Sequence, residues 1–463
     1  MIKFILNDKI IETSARSGMT LLDFIRDEQQ LKGTKIACRE GDCGACTVLS
    51  GTLENNEVVY KSITSCISPL GNAAGKHIVT IEGLNLDEKL SVPQQVMADN
   101  HGTQCGFCSP GIIVSMTGYA LGGNNSSCKD AISGNICRCT GYKSIEKAAD
   151  VLENKLEEIE SLEVLVEKGF VPEYFKSIPE RLEKLNKTNK EKKQVGRESA
   201  IVANGTDIYV RHADRLSLED VRLIGEEKSL KGIVFQDGIC TIGASTTVAD
   251  IFDNQELNKI FPKLKAFLKL VSSAQIRNMG TIGGNFVNAS PIGDMSIFFL
   301  ALNSVLHIKG DVDRNILFKD FHQDYKKYDL QKAELITALS FNIPDEKTKF
   351  NFEKVSKRTH LDIASVNAAA SITVLDNVIT NAIFSMGGVA AIPKLLEKTN
   401  LFLKEKKIAV ITIKEAEKVM QTEISPIDDI RGTSSYKRLL ARQLFFAHFV
   451  KLFPKKIKLE DLI

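Results

Sequence analysis

The chain has 463 residues, 43% hydrophobic and 25% charged, which is the make-up of a globular protein with length for about three or four domains. Sixty Lys and Arg against 58 Asp and Glu leave a formal charge of +2, so no long-range field favours nucleic acid or an anionic membrane surface, and any partner has to be recognised locally. No run of about eighteen apolar residues occurs, and Asp8 interrupts the N-terminal apolar stretch, so neither a membrane span nor a signal peptide is expected and the cytoplasm is the expected location.

Residues 1–84 alternate short apolar runs (Lys3 to Leu6, Thr47 to Leu49, His77 to Ile81) with glycine-bearing loops, and one amphipathic stretch covers Thr20 to Asp27; this predicts a small sheet with one helix. Residues 85–160 are helical in texture. Pro93 and Pro110 suit first helical turns, and Ile145, Ala148, Ala149, Leu152 and Leu156 recur at helical spacing, so a four-helix module is expected. Residues 161–198 are read as a linker, because Leu185 to Ser199 is polar and lysine-rich, with few large apolar residues. Residues 199–345 mix short β-branched runs with helical patterns such as Val248 to Phe252 and Phe261 to Val271. In 346–455 two strand-like runs (Ala368 to Leu375, Val378 to Phe384) precede helical stretches over Thr412 to Thr422 and Ser435 to Leu452. The fold class is multidomain α+β.

Nine of the ten cysteines precede residue 140, and only Cys240 lies beyond. A reducing cytoplasm does not maintain disulfides in a chain this long, so metal or cluster ligation is the better explanation. Cys38, Cys43 and Cys46 have the spacing C-x4-C-x2-C, with Cys66 downstream, which is the ligand pattern of a plant-type [2Fe-2S] ferredoxin. Gly41 and Gly44 permit the tight curl that wraps thiolates around a rhombic cluster. Cys105 and Cys108 form C-x2-C, and Cys137 with Cys139 forms C-x-C; both pairs fall just before expected helix N-termini, which favour thiolates and an anionic cluster. Zinc stays open as an alternative for either set. Cys128 and Cys240 fit neither pattern and read as buried small hydrophobes.

Two glycine loops mark the second half, Ala203-Asn204-Gly205-Thr206-Asp207 and Thr281-Ile282-Gly283-Gly284-Asn285, the latter followed by Asn288, Ser290, Pro291 and Asp294. Glycine lets backbone N–H groups approach a pyrophosphate, but each loop alone is more often an ordinary turn. No G-x-G-x-x-G fingerprint follows a strand, so a Rossmann nicotinamide domain is not indicated.

The strings GTKIACREGDCGACTV (Gly33 to Val48), QCGFCSPG (Gln104 to Gly111) and ICRCTGY (Ile136 to Tyr142) resemble the xanthine dehydrogenase and aldehyde oxidase family of molybdenum hydroxylases. The likeness continues through TIGGN, ASPIGD (Ala289 to Asp294), SKRTHLDIA (Ser356 to Ala364) and MGGVAAIPK (Met386 to Lys394). It implies a ferredoxin-like β-grasp [2Fe-2S] domain over 1–84, with Cys38, Cys43, Cys46 and Cys66 as ligands. A helical [2Fe-2S] domain over 85–160 would use Cys105, Cys108, Cys137 and Cys139. An α+β FAD-binding domain would cover 199–345 and a C-terminal α+β domain 346–455. Ala203, Asn204, Gly205, Thr206, Asp207, Thr281, Gly283, Gly284, Asn285, Asn288, Asp294 and Arg358 would then lie at FAD. Two departures stand out: Ala37, where the family usually has glycine, and Asn204 in place of a glycine, where asparagine is expected to adopt a positive φ.

Those domains account for the whole chain, so the resemblance implies molybdopterin on a separate large subunit, two of each in a heterotetramer. Electrons from xanthine or hypoxanthine would pass through the second cluster, the first cluster and FAD to NAD+. The same chain could serve an aldehyde or other N-heterocycle dehydrogenase, or act as a stand-alone iron-sulfur flavoprotein. The run Pro426 to Phe445 is expected to serve packing and subunit docking.

Overall fold

The computed structural model describes residues 1–122, 127–157, 159, 161–188, 199–358 and 361–462. The chain forms two compact units, Met1–Glu226 with Ser273–Gly280, and Glu227–Ser272 with Thr281–Ile463.

The first unit begins with five strands: β1 (Ile2–Leu6), β2 (Lys9–Thr13), β3 (Thr47–Glu54), β4 (Glu57–Thr64) and β5 (His77–Val79), in the order β2-β1-β5-β3-β4. Central β5 runs parallel to β1 and antiparallel to β3, and its three residues are buried. Two hairpins that the apolar runs did not reveal complete the sheet. Asn7 turns β1 into β2 and Asn55-Asn56 turns β3 into β4, all three in the left-handed region that asparagine tolerates best among non-glycine residues. Thr20 caps a helical segment whose first turn is Leu21–Asp23, accepting from the Asp23 N–H at 3.1 Å, and the next turn, Phe24–Glu28, widens to a π-helix.

Four helices follow, Val92–Asp99, Ser109–Ala120, Cys128–Ile132 and Lys143–Leu156. The second is apolar nearly all round and is correspondingly the central one, with Ile112, Val114 and Met116 buried. Residues 161–188, read as the first part of a linker, are instead ordered. Leu162–Glu167 and Ile178–Thr188 are helices; Phe170, Val171 and Phe175 join the helical core, while Ile178, Leu182 and Leu185 pack on Ile5. The lysines that suggested a solvated segment occupy one face only, opposite an apolar stripe at helical spacing. The remainder of the expected linker, 189–198, lies outside the described residues.

Two segments expected in the flavin domain complete this first unit. Strands Ile201–Val202 and Arg222–Leu223 pair in parallel around the helix Ile208–Leu216, and buried Tyr209 donates its hydroxyl to the Gly18 carbonyl at 2.7 Å. Segment Ser273–Gly280, with the short helix Ala274–Arg277, packs beside β4.

The second unit holds a five-stranded antiparallel sheet in the spatial order 314–317, 305–309, 335–342, 239–243 and 233–236. Helices that include Val248–Asp253, Leu264–Lys269, Ile282–Asn288 and Asp294–Leu300 cover a core of Phe261, Phe286, Phe298, Phe299 and Phe341. A four-stranded antiparallel sheet of 348–355, 366–375, 378–387 and 394–395 packs against Ser434–Leu452 through Phe384, Phe445 and Phe449. The multidomain α+β class is the one observed. Cys128 and Cys240 are both fully buried.

Candidate functional site

The first cysteine set sits where the loop after the π-turn curls back beneath β3. Arg39, Gly41 and Gly44 all have positive φ; a β-carbon on Gly41 would approach Ile67 Cδ1 to 2.5 Å, and one on Gly44 would approach the Gly134 carbonyl oxygen to 2.5 Å. The curl therefore needs glycine for space as well as for conformation. Cys46 and Cys66 are buried, while Cys38 and Cys43 are half-buried. The sulfurs associate in two pairs. Cys43 hydrogen-bonds Cys38 and holds its thiol down at about 5, and Cys66 does the same for Cys46, holding it below the ordinary thiol range. The Glu40 N–H also points at Cys38 Sγ, at 3.4 Å.

The second set shows the same pairing with the opposite exposure. Cys105 and Cys139 are exposed with their sulfurs 3.2 Å apart, and Cys108 and Cys137 form the inner pair. Cys108 is the N-cap of helix Ser109–Ala120, and Tyr142 that of Lys143–Leu156. The Phe107 N–H and the neighbouring Cys139 hold Cys105 below the ordinary thiol range. Phe107, Ile136 and Tyr142, each between 38% and 46% exposed, form an apolar rim.

Pairing is the arrangement that a two-iron cluster requires of its thiolates. Among the described residues no three His, Cys, Asp or Glu side chains converge on one ion position. A structural zinc needs four donors around a point, whereas each iron of a [2Fe-2S] rhomb takes two thiolates. Both sets fit the rhomb.

The two sets are joined through backbone. The Ile136 N–H donates to the Cys43 carbonyl at 2.9 Å, linking the residue before Cys137 directly to a member of the first set. Asn135 reinforces this contact: its amide donates to the Gly44 carbonyl at 2.9 Å and to Thr47 Oγ1 at 3.3 Å, while its Oδ1 accepts from Ser115 at 2.8 Å and from Gln275 at 3.0 Å. Gly111 lies so close that a β-carbon there would come within 2.4 Å of the Gly44 carbonyl oxygen.

The Ala203–Asp207 loop lies against the other side of the first set, within the same unit. Gly205 has φ +90°, and a β-carbon on it would lie 2.2 Å from the carbonyl oxygen of Ile67, the residue after Cys66. Asn204 does not adopt the expected positive φ. Its side chain acts as a strut instead, donating to the Met279 carbonyl at 2.7 Å, while Asn72 donates to the Ala203 carbonyl at 3.0 Å. Thr206 is half-buried, and Asp207 pairs with Arg211 at 3.1 Å.

In the second unit, Thr281 caps helix Ile282–Asn288 by accepting from the Gly284 N–H at 3.2 Å. Gly283 is closed in by Ala244, whereas a β-carbon on Gly284 would meet only Thr281 Oγ1. Gly284 thus presents a bare backbone edge of the kind a phosphate can approach. Asn285 accepts from Ser296 at 3.2 Å, and Lys326 grips Asn288 through both its carbonyl and its side chain. Asp294 is held by the Lys354 ammonium at 2.7 Å and the Asn367 amide at 2.6 Å. Arg358 turns onto the Leu361 carbonyl at 2.8 Å, and Thr359 and His360 beside it, part of the SKRTHLDIA string, lie outside the described residues.

Four families match this chain: residues 4–70 the 2Fe-2S iron-sulfur cluster binding domain, 80–150 the [2Fe-2S] binding domain, 176–345 the FAD binding domain in molybdopterin dehydrogenase, and 352–452 the CO dehydrogenase flavoprotein C-terminal domain. The xanthine dehydrogenase of Oryza sativa subsp. japonica is 31% identical, with 84% of this chain and 35% of that one covered. The chain belongs to the molybdenum hydroxylase family. By these matches it carries two [2Fe-2S] binding domains and an FAD-binding domain. Xanthine dehydrogenase/oxidase of Rattus norvegicus is 25% identical over 100% of this chain and 40% of its own, so the chain spans 35–40% of the length of these relatives. Among solved structures, reconstituted CO dehydrogenase from Oligotropha carboxidovorans (TM-score 0.52, 23% identity, 56% of this chain and 91% of that one) shares the fold. Quinoline 2-oxidoreductase from Pseudomonas putida 86 (TM-score 0.51, 23% identity, 57% and 92%) does so as well. No helix among the described residues is long and apolar enough to cross a membrane.

Sequence reasoning about this molybdenum hydroxylase chain missed Asn135, Gln275 and Lys354. Lys354 is only 2% exposed, although lysine by type reads as solvated, and nothing in its neighbourhood of the sequence announces Asp294 as its partner. Asn135 carried a signal in retrospect, as a polar residue two positions before Cys137 in an otherwise ligand-dense string.

Proposed function

We propose that this chain is the electron-transfer subunit of a xanthine dehydrogenase, working with a large molybdopterin-binding subunit in a cytoplasmic heterotetramer of two of each and delivering electrons to NAD+. The observation that carries this reading is the linear order of sites within the first unit. An exposed cysteine pair with an apolar rim stands at one end, the buried first set lies one hydrogen bond further in, and the Ala203–Asp207 loop rests on the residue after Cys66. An exposed end suits docking of an electron donor, and a buried middle suits passage onward without loss to solvent.

In this reading Cys38, Cys43, Cys46 and Cys66 hold one cluster, and Cys105, Cys108, Cys137 and Cys139 the other. Ala203, Asn204, Gly205, Thr206 and Asp207 of the first unit are FAD-binding residues in this reading, as are Thr281, Gly283, Gly284, Asn285, Asn288 and Asp294 of the second. Arg358 contributes least, because its guanidinium already serves its own loop. Bound there, FAD would supply the conversion between single electrons and hydride that NAD+ requires. The protein's part is to expose the Cys105–Cys139 edge to the partner, keep water from Cys46 and Cys66, and hold the glycine edges bare.

Xanthine as substrate rests on the names of the curated relatives, and the partner's pocket sets it. The chain purified alone is expected to oxidise NADH with an artificial acceptor and to leave xanthine untouched. Adding the large subunit should restore xanthine-dependent NAD+ reduction. Xanthine oxidation by the isolated chain would contradict the division of labour, and restored activity on an aldehyde or another N-heterocycle but not xanthine would reassign the substrate.

A further inference from the structure

The turn Thr140-Gly141-Tyr142 follows the last cysteine of the second set and is conformationally expensive. Gly141 has φ +66° and Tyr142, an aromatic residue, has φ +69°. A bulky side chain in the left-handed region is strained, so something in the surroundings has to fix it there. Two contacts of the turn reach Cys137, and a third holds the turn itself. The Cys137 N–H donates to the Tyr142 hydroxyl at 3.1 Å, the Tyr142 N–H donates to Thr140 Oγ1 at 3.3 Å, and Thr140 Oγ1 lies 3.1 Å from Cys137 Sγ.

A hydroxyl has a single proton. With a lone pair of Thr140 Oγ1 already engaged by the Tyr142 N–H, and with Cys137 as a thiolate that has no proton to give, the hydroxyl proton is directed at the sulfur. Cys137 is 5% exposed, in contrast to the exposed Cys105 and Cys139, so this hydrogen bond is shielded from competing water.

We infer that Thr140 is a positioning residue that sets the reduction potential of the second cluster by donating a hydrogen bond to the Cys137 thiolate. The inference rests on the assignment of Cys105, Cys108, Cys137 and Cys139 as ligands. One-electron reduction of a bound cluster would add one negative charge to the cluster with its thiolates and would make or break no bond. A donor aimed at a ligand sulfur stabilises that added charge and raises the potential. Tyr142 serves the same end by fixing the turn that aims the hydroxyl.

The test is a dithionite titration of the full chain followed by electron paramagnetic resonance, which reads the two clusters as separate signals. Thr140→Val, which keeps the shape and removes the hydroxyl, should move the midpoint of the second signal to more negative potential and leave the first in place. Thr140→Ser should stay at the wild-type value, and Thr140→Ala, which cannot crowd the loop, should shift as Thr140→Val does. An unshifted second midpoint in both Thr140→Val and Thr140→Ala, with both signals present, would overturn the inference, as would an equal shift of both signals. A wild-type protein that shows no second signal and binds only half the iron would instead remove the ligand assignment beneath it.

Discussion

Cys46 and Cys66 are each 3% exposed, inside a core that also takes in Phe4, Phe24 and Ile67, whereas Cys105 and Cys139 stand at the surface beside the exposed ring of Phe107. The first set is built into a sheet, its loop pinned by β3 and by the 3-10 turn Ser65–Ile67; the second hangs from the N-termini of two helices. Both present two thiol pairs, so ligand geometry alone does not account for the difference. What differs is access: one set reaches the surface, and the other is enclosed by the core.

The comparison breaks most severely at Gly44. A β-branched residue there meets both a φ of +67° and the Gly134 carbonyl, at 2.5 Å from the β-carbon. Gly44→Val is therefore expected to abolish assembly of the first cluster and unseat the second. Iron analysis should fall from about four atoms per chain to well below two; retention of about four would refute the packing argument. A replacement in the second unit should separate flavin from iron. Gly284→Val places its branches along the bare edge of the loop and is expected to expel FAD while leaving the iron content and both paramagnetic signals unchanged. Stoichiometric flavin in that variant would show the loop to be a simple turn.

Acid should also tell the two regions apart. His77, at the centre of the five-stranded sheet, accepts from the Tyr60 hydroxyl at 2.7 Å and donates to the Asn7 carbonyl, and burial holds its pKa down at about 3. Its unfolded-state value is near 6.5, so the unfolded chain binds the extra proton between those limits. The stability that neutral His77 contributes is thus complete above about pH 6.5 and is lost as the pH falls toward 3. The helical module buries no histidine among its described residues. Urea midpoints of the sheet region should fall with acid in the wild type, and His77→Gln should flatten that slope; an unchanged slope would assign it to other groups.

The smallest effect is expected at Gly106, which has φ +79° like the glycines of the first set but no atom within 4 Å of its would-be β-carbon. Gly106→Ala should cost about 1 kcal/mol of stability from backbone strain alone and keep both clusters. Loss of the second cluster would mean that its loop is as constrained as the first.

The cysteine sets were legible in the sequence because ligand spacing along the chain is dictated locally: a tight loop around a cluster leaves the same intervals wherever it occurs. Helices such as Lys143–Leu156 were legible because their buried faces repeat every three to four residues. The β1–β2 hairpin escaped because β2 is an edge strand with mostly solvent-facing side chains, which leaves little apolar alternation to detect. Helix Ile178–Thr188 escaped because three apolar residues among many charges suffice to dock it. The Asn135–Gln275 contact joins residues 140 positions apart, and neither residue differs by type from a solvated amide. The assignment of a parallel pair, Ile201–Val202 with Arg222–Leu223, to the cluster-bearing unit was likewise invisible, since it depends on the fit of Gly18 against the Leu216 and Glu219 carbonyls.

The proposed route, in which electrons enter at the exposed set and reach the flavin through the buried one, is tested most directly by Cys105→Ala in the complete complex with the large subunit. The second paramagnetic signal should disappear, xanthine-dependent NAD+ reduction should be lost, and NADH-to-dye turnover should remain near wild type. Unimpaired xanthine-dependent NAD+ reduction in a complex shown to lack the second cluster would contradict it.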